Sequence, residues 1–513
     1  MDAAWFRPTV WLPPTLLAVL AVAAGVVTAF VAPSLLAALP SRRSRYRVLA
    51  PLEPAVRLAD VVGAAATTRE VADAVHVFLH EATFREQMGG AVRRGLVFEG
   101  APGTGKAYLA RAMAAQACVP FLQVDASRLC AGSEARAVQR VRAFVRALRR
   151  HALAGTGAVA YLTRLDEVPT AQLRDLVAQV QQLDAPTPWQ RWRHTAVEWC
   201  NRALPQQHRL RGPASDRPNV LLVAATTSAA ALDPSLFGPG RFGRVIRFDL
   251  PLRSDRIEIA EYHLARKRHD HTVSAAFVAD LTARYTPGRI EQLLDDALVI
   301  ALGEQRSAMT YRDVIAAQIV GEHGVGHAVE LHPDEKRRLA IHEAGHAIQA
   351  ALLGRDVKLA SVLRRAGRLG LVAHGEVEER FLRTLGEARD QMAIALAGRA
   401  AEIQELGEPS ACIADDLATA TEIAAQLVGA LGGGDSLLSL AADGHNQSLV
   451  EQVLHDPRAR ARAEQVLHAA ADRAACTVLE HRRALLALAD ALCELDELDG
   501  DQVHAIVAGA MVN

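Results

Sequence analysis

The stretch Ile341-His342-Glu343-Ala344-Gly345-His346-Ala347 reads H-E-x-x-H. On a helix, side chains four residues apart share one face, so His342 and His346 can direct their imidazoles at a single zinc ion. Glu343, beside the first histidine, is placed to take a proton from a water that the metal activates. The flanks, Lys336-Arg337-Arg338-Leu339-Ala340 and Ala347-Ile348-Gln349-Ala350-Ala351-Leu352-Leu353, favour a helix. Only Gly345 is a poor helix former, at about 1 kcal/mol against alanine. A zinc site of this kind needs a third protein ligand and leaves its fourth position to water.

Upstream lies a second chemical pattern. The apolar strand Gly95-Leu96-Val97-Phe98-Glu99 runs into Gly100-Ala101-Pro102-Gly103-Thr104-Gly105-Lys106, and the helical Ala107-Tyr108-Leu109-Ala110-Arg111-Ala112-Met113 follows. This is G-x-x-x-x-G-K between a strand and a helix. Backbone N–H groups of such a loop wrap a phosphate, the helix N-terminus adds positive potential, and Lys106 reaches the outer phosphates. Ala107 stands where a hydroxyl would hold Mg²⁺. The next apolar run, Ala158-Val159-Ala160-Tyr161-Leu162, is followed by Thr163-Arg164 instead of an acidic pair, and Asp166-Glu167 come three residues late. A shifted register is the alternative in which these two serve.

Length and composition set the frame. The 513 residues suffice for several domains, and 57 basic against 58 acidic residues argue against bulk nucleic-acid binding. The six cysteines, Cys118, Cys130, Cys200, Cys412, Cys476 and Cys493, include no C-x-x-C pair, which fits a reducing compartment. No charge occurs from Pro8 to Ser41, and Thr15 to Leu39 is almost wholly apolar, enough for a bilayer core that takes about 20 residues. Arg42, Arg43, Arg45 and Arg47 follow. One transmembrane helix is expected, with the N-terminus outside and all that follows in the cytoplasm. A cleaved signal peptide is disfavoured by the length of the run and its front flank.

With these motifs in order, the chain resembles the FtsH family of membrane-anchored AAA+ zinc proteases. The likeness begins near Leu58-Ala59-Asp60-Val61-Val62-Gly63 and continues to the C-terminus. Asn219-Val220-Leu221-Leu222-Val223-Ala224-Ala225-Thr226-Thr227 resembles the family's sensor strand, with Thr227 in place of Asn. Gly240-Arg241-Phe242-Gly243-Arg244 resembles G-R-F-D-R, which implies that Arg241 and Arg244 reach the nucleotide of a neighbouring subunit. Gly398-Arg399-Ala400-Ala401-Glu402 and Asp415-Asp416-Leu417-Ala418-Thr419-Ala420 resemble the segments that complete the zinc site, which implies Asp416 as third ligand. Glu402 is then either a group supporting the site or a surface charge, and Asp415 replaces the usual Asn, with helix capping as its other role. The pore segment reads Leu129-Cys130-Ala131-Gly132-Ser133-Glu134 and lacks the family's aromatic. Trp189, Trp192 and Trp199 fall in a divergent span; core packing is the expected role, a partner surface the other.

The resemblance implies an α/β AAA+ P-loop module, a parallel sheet with flanking helices and a helical lid, followed by a mainly α-helical zinc peptidase domain and preceded by one transmembrane helix. The expected boundaries are 1–47 for the anchor and basic flank, 48–255 for the nucleotide core, 256–320 for the lid, 321–333 for a linker containing His323 and His327, and 334–513 for the peptidase domain. Residues 449–513 read as helical. The strand-like Ala360 to Arg364 and Gly367 to Ala373 can present an edge to an extended peptide. The expected function is a zinc endopeptidase with one Zn²⁺ per chain, acting on proteins or peptides. Its AAA+ module binds ATP or ADP at Gly100 to Ala107, Mg²⁺ is not held at the usual positions, and hydrolysis is slow. Alternatives are a fully ATP-driven protease and a non-hydrolysing scaffold subunit. A homo-hexamer or a hetero-oligomer with related subunits is expected, and no nucleic-acid partner.

Overall fold

A computed structural model describes residues 47–49, 56–90, 94–181, 188–203, 218–237, 241–375, 382–433, 436–443 and 448–512. The expected anchor and basic flank, 1–47, lies outside them except for Arg47, as does Gly240. Among the described residues no helix is long and apolar enough to cross a membrane. The chain divides into two units, one formed by 1–262 with 284–290, the other by 263–283 with 291–513.

The first unit is built on a six-stranded sheet. Its strands are β1 (Arg47–Leu49), β2 (Gly95–Gly100), β3 (Phe121–Asp125), β4 (Ala158–Thr163), β5 (Val220–Thr226) and β6 (Phe242–Phe248), in the order β1-β3-β4-β5-β2-β6. All pairings are parallel except that of β1 with β3. Parallel strands buried on both faces read as continuous apolar runs, and β5, Val220 to Thr226, is buried along its whole length. The strand period of two sends Val97 to one face, against Phe144 and Leu148 of α2 (Glu134–Ala154). Leu96 and Phe98 go to the other, against Leu109 and Met113 of α1 (Lys106–Gln116). Each such side chain contributes roughly 1.5–3 kcal/mol of burial. The parallel sheet and its flanking helices agree with the sequence reading. The tryptophan span does not. It forms the helix Pro188–Ala203, where Trp192 and Trp199 are 46% and 67% exposed, so core packing is not their role. The side chain of Trp189 lies outside the described residues. Leu129 and Cys130, expected in a pore segment, are buried in the core, and Ala131 to Glu134 are the exposed part.

The second unit is mainly helical. Helix α3 (Tyr311–His323) precedes α4 (Pro333–Leu352), which carries H-E-x-x-H. His332 caps α4: its ring accepts from Asp334 N–H, Glu335 accepts from His332 N–H at 3.0 Å, and Pro333 takes the first turn. A three-stranded antiparallel sheet, β7 (Asp356–Arg365), β8 (Arg368–Gly375) and β9 (Glu497–Asp499), runs in the order β8-β7-β9. Helices α5 (Leu385–Leu406), α6 (Ala414–Gly429), α7 (Pro457–Glu480) and α8 (Arg482–Leu495) belong to the same unit. Two expectations need correction. Strand β9 interrupts the stretch read as helical, because pairing with β7 outweighs local preference. The stretch read as a linker is helical through His323 and then held down: His327 exchanges backbone hydrogen bonds with Arg364 at 2.9 and 3.0 Å, and Arg365 donates to Gly324 O at 2.7 Å.

The start of α3 supplies a measurable electrostatic contribution. Asp313, 4% exposed, accepts two hydrogen bonds from Arg306, both at 2.6 Å, and others from Thr310 N and Oγ1. Arg306 above all, with Thr310, holds its carboxyl below the ordinary value. A carboxylate with a depressed native pKa stabilises the fold above its unfolded pKa, and that stability disappears as pH falls toward the native pKa. Asp313→Asn should therefore lower the unfolding temperature at pH 7 by roughly 2–6 °C. The difference between variant and wild type should shrink below about pH 4, as calorimetry over a pH series would record.

Candidate active site and nucleotide site

Helix α4 is buried at every residue from Leu339 to Ala350, so its histidines lie inside the unit. His346 Nδ1 donates to the carbonyl of Ile394 on α5 at 2.7 Å. A carbonyl can only accept, so Nδ1 carries the proton and the neutral ring presents its lone pair at Nε2. His342 Nδ1 faces Glu402 Oε1 at 2.8 Å, which orients that ring in the same way. The two Nε2 atoms are 3.1 Å apart. Asp416 Oδ2, from the first turn of α6, lies 3.1 Å from one and 3.3 Å from the other. It is buried and makes no well-formed hydrogen bond. Donors in a tetrahedral zinc site, each about 2 Å from the metal, stand roughly 3.3 Å apart. Two imidazoles and a carboxylate at this spacing fit one zinc ion, and among the described residues they form the one group of this kind.

The electrostatics agree. Burial disfavours a charged His342, but Asp416 and Glu402 outweigh it and push its pKa up to about 10. Burial opposes ionisation of Asp416 too, and the two imidazoles overcome it, holding that carboxyl far below its ordinary range. The site thus attracts positive charge, and a metal displaces the proton that otherwise occupies it. Glu402 has no exposed surface and is not the surface charge that was one reading of it. Besides His342 it accepts from Ser410 N at 2.6 Å, Ser410 Oγ at 3.0 Å and Arg338 at 3.2 Å. Ligating histidines commonly have such a partner on the other ring nitrogen. Asp415 does not cap α6; it pairs with Arg368 at 3.0 Å.

Glu343 is 4% exposed, and burial pushes its carboxyl up to about 7, with His346 and His342 pulling the other way. A proton acceptor works best when its pKa lies near the working pH. These groups line a cleft of about 710 Å³ whose walls include Leu371, Ile394 and Ile423. Two glycines that no motif singled out for chemistry bring the walls close. A Cβ on Gly345 would lie 2.5 Å from Ala397 O, which explains the poor helix former inside α4. A Cβ on Gly398 would lie 2.5 Å from His346 Nε2 and 2.7 Å from His342 Cε1, so only glycine lets α5 lie against both rings.

In the first unit the loop Gly100 to Lys106 joins β2 to α1 as expected. Lys106 Nζ donates to Gly100 O at 2.6 Å and Ala101 O at 2.7 Å. Ala107 lies in the first turn of α1 and offers no hydroxyl. Arg164 adopts a left-handed conformation, φ 54°, and pairs with Asp125 and, at 3.7 Å, with Glu167. Asp166 accepts from Thr227 Oγ1 at 2.7 Å and interacts with the charge of Lys106. The turn at Arg164 thus brings Asp166 toward the phosphate loop.

Two family models match the chain: the ATPase family associated with various cellular activities (AAA) over residues 96–250, and peptidase family M41 over 329–506. The ATP-dependent zinc metalloprotease FtsH of Acidothermus cellulolyticus is 30% identical over 489 residues, covering 92% of this chain and 70% of that protein. FtsH 1 of Symbiobacterium thermophilum is 33% identical over 466 residues, 89% and 73% of the two chains. This chain belongs to the FtsH family. It is a zinc metalloendopeptidase with a nucleotide-binding AAA module. The arginines that the FtsH resemblance assigns to a neighbouring subunit are engaged within this chain: Arg241 donates to Ser235 O, and Arg244 pairs with Glu70 at 2.9 Å.

Zinc content separates the roles of neighbouring residues. Asp416→Ala should lower it well below one per chain, while Asp415→Ala, which removes only the pair with Arg368, should leave it near the wild-type value. Gly398→Ala should also lose zinc, because the added methyl displaces both rings. Elemental analysis of the purified variants checks all three.

Proposed function

We propose that the chain is a membrane-anchored zinc endopeptidase in which His342, His346 and Asp416 hold the metal, Glu343 moves the proton, and the AAA module binds nucleotide but hydrolyses it slowly. The observation that carries the peptidase reading is the convergence of two Nε2 atoms and Asp416 Oδ2 within 3.1–3.3 Å. Zinc, when bound, polarises the substrate carbonyl and favours ionisation of water. Glu343 takes the proton of the attacking water and passes it to the departing amide nitrogen, so the C–N bond breaks as a C–O bond forms. Glu402 and the carbonyl of Ile394 hold the imidazoles in the metal-binding tautomer. The outer edge of β8, which no strand among the described residues pairs with, is suited to hydrogen-bond an extended substrate.

The remaining parts of the reading rest on sequence. Residues 1–47 supply the membrane anchor and its basic flank, with the span in Thr15 to Leu39, and residues 48–255 and 256–320 are nucleotide core and lid and 334–513 the peptidase domain, all on the cytoplasmic side. Gly100 to Ala107 cradle the phosphates, and Arg241 and Arg244 turn to the nucleotide of an adjoining subunit once a homo- or hetero-oligomer forms. Slow hydrolysis follows from Ala107, Thr163 and Arg164, which offer neither a Mg²⁺ ligand nor an acid to activate water. A fully ATP-driven protease is the second reading, and the approach of Asp166 to Lys106 and Thr227 is what favours it.

Three measurements on one purified sample test these assignments. Glu343→Gln should retain zinc and lose cleavage of an unstructured substrate by roughly 10²–10⁴-fold. Equal cleavage by this variant and wild type would remove Glu343 from the mechanism. Nucleotide binding should vanish in Lys106→Ala, whereas wild-type ATP turnover should barely exceed that variant's background. Robust Mg²⁺-dependent turnover would establish the ATP-driven reading.

A further inference from the structure

We infer that Gly370 is a positioning residue for the peptidase reaction: its bare Cα sets where the Glu343 carboxylate can stand. The pairing of β8 with β7 shifts register twice, between Val357 and Leu359 and again between Ser361 and Arg364, whose partners are Leu371 and Leu369. Gly370 falls in that step at φ +74°. Irregular steps of this kind re-aim a strand beside active sites. Here the step turns the backbone of β8 onto the side chain of Glu343. A Cβ at Gly370 would lie 2.0 Å from Glu343 Oε1, 2.6 Å from its Cδ and 3.0 Å from its Cγ, so the strand lies along the whole end of the side chain.

Helix α4 cannot back away from the strand: it is pressed against α5, where a Cβ at Gly345 would meet Ala397 O at 2.5 Å, so an added methyl at Gly370 must be relieved by turning the Glu343 side chain, which is 4% exposed. Proton transfer needs heavy atoms about 2.6–3.2 Å apart, and a displacement of about 1 Å costs on the order of 10²-fold in rate. Glycine at 370 therefore acts through Glu343 on the chemical step, while the metal ligands, set by Glu402, Ile394 and Gly398, stay where they are. The inference rests on Glu343 as the proton-transferring group, and the test distinguishes the failure of one from the failure of the other.

The test compares Gly370→Ala with Gly354→Ala in the full chain. Gly354, just past the end of α4 and away from the cleft, also has positive φ, +69°, but a Cβ there meets nothing within 4 Å, so this variant carries the backbone strain without the contact. With an unstructured fluorogenic peptide, Gly370→Ala should keep zinc and KM near wild type and lose kcat by about 10²-fold. Gly354→Ala should keep kcat within about threefold, since backbone strain away from the site acts on stability and not on the chemical step. Glu343→Asp withdraws the carboxylate by one methylene, so in that background Gly370→Ala should cost almost nothing further; contacting residues couple in this way and distant ones do not. Equal kcat for the two glycine variants, loss of zinc from Gly370→Ala, or full additivity with Glu343→Asp would each overturn the inference. If Gly370→Ala alone is insoluble, the double variant should recover folding, and its failure to do so counts against the contact. Undiminished cleavage by Glu343→Gln would instead remove Glu343 as the proton carrier.

Discussion

Four donors point at the carboxylate of Glu402: the ring of His342, the backbone and hydroxyl of Ser410, and the guanidinium of Arg338. A buried carboxylate with no partner costs several kcal/mol, and one satisfied on both oxygens fixes everything that touches it. This one fixes the plane of an imidazole at the centre of a buried helix. The second imidazole is fixed by the carbonyl of Ile394, on the same helix as Glu402. Both converging Nε2 atoms are thus oriented by α5, and the placement of α5 against α4 governs the peptidase unit. Ser410 extends the arrangement, since it stands shortly before Asp416 in the chain and ties the approach to α6 to the same carboxylate.

Close packing makes that placement rigid. Ala344, Ala347 and Ile348 on α4 and Ala397 and Ala401 on α5 belong to one apolar core with Leu485 and Leu488 of α8. Small side chains let the two helices approach, and the same approach closes the space that larger residues at Gly345 or Gly398 would need. Sheet β8-β7-β9 covers the other side of α4 through Val357, Ala360 and Val362. Interiors packed at this density transmit displacement instead of absorbing it. The chemistry is therefore confined between two elements that cannot retreat, α5 behind and β8 in front.

The nucleotide unit has a different balance. Its sheet is mostly parallel, but the residues at the strand ends depart from the pattern that the family resemblance implies. Lys106 fills its hydrogen bonds with carbonyls of its own loop, and burial holds its pKa below the ordinary value while Asp166 pulls the other way. Arg164, in a left-handed conformation, directs its guanidinium to Asp125 at the end of the neighbouring strand, not to the phosphate loop. The turn it makes brings Asp166 to Thr227. An acid lost at the strand end thus stands close to another acid three residues on, in a place that strand periodicity alone does not indicate.

The sequence alone determined the elements whose signal is local. The phosphate loop follows from the spacing of its glycines and Lys106 between strand and helix, and α4 from the i,i+4 histidines with good helix formers around them. The resemblance extended this to Asp416, a carboxylate that no periodicity in the segment would single out. Tertiary structure decided whatever depends on partners distant in the chain. Glu402 is a buried ring-orienting group because Ser410 and Arg338 meet it in space. The exposed Trp192 and Trp199 lie on a helix that an aromatic count reads as core. Strand β9 forms because β7 offers it an edge, which a short helix-favouring stretch cannot reveal. Gly370 and Gly398 look like ordinary glycines until the helix and strand that they bring together are in place. Their significance is the absence of a side chain at a contact, and only the packed fold contains that contact.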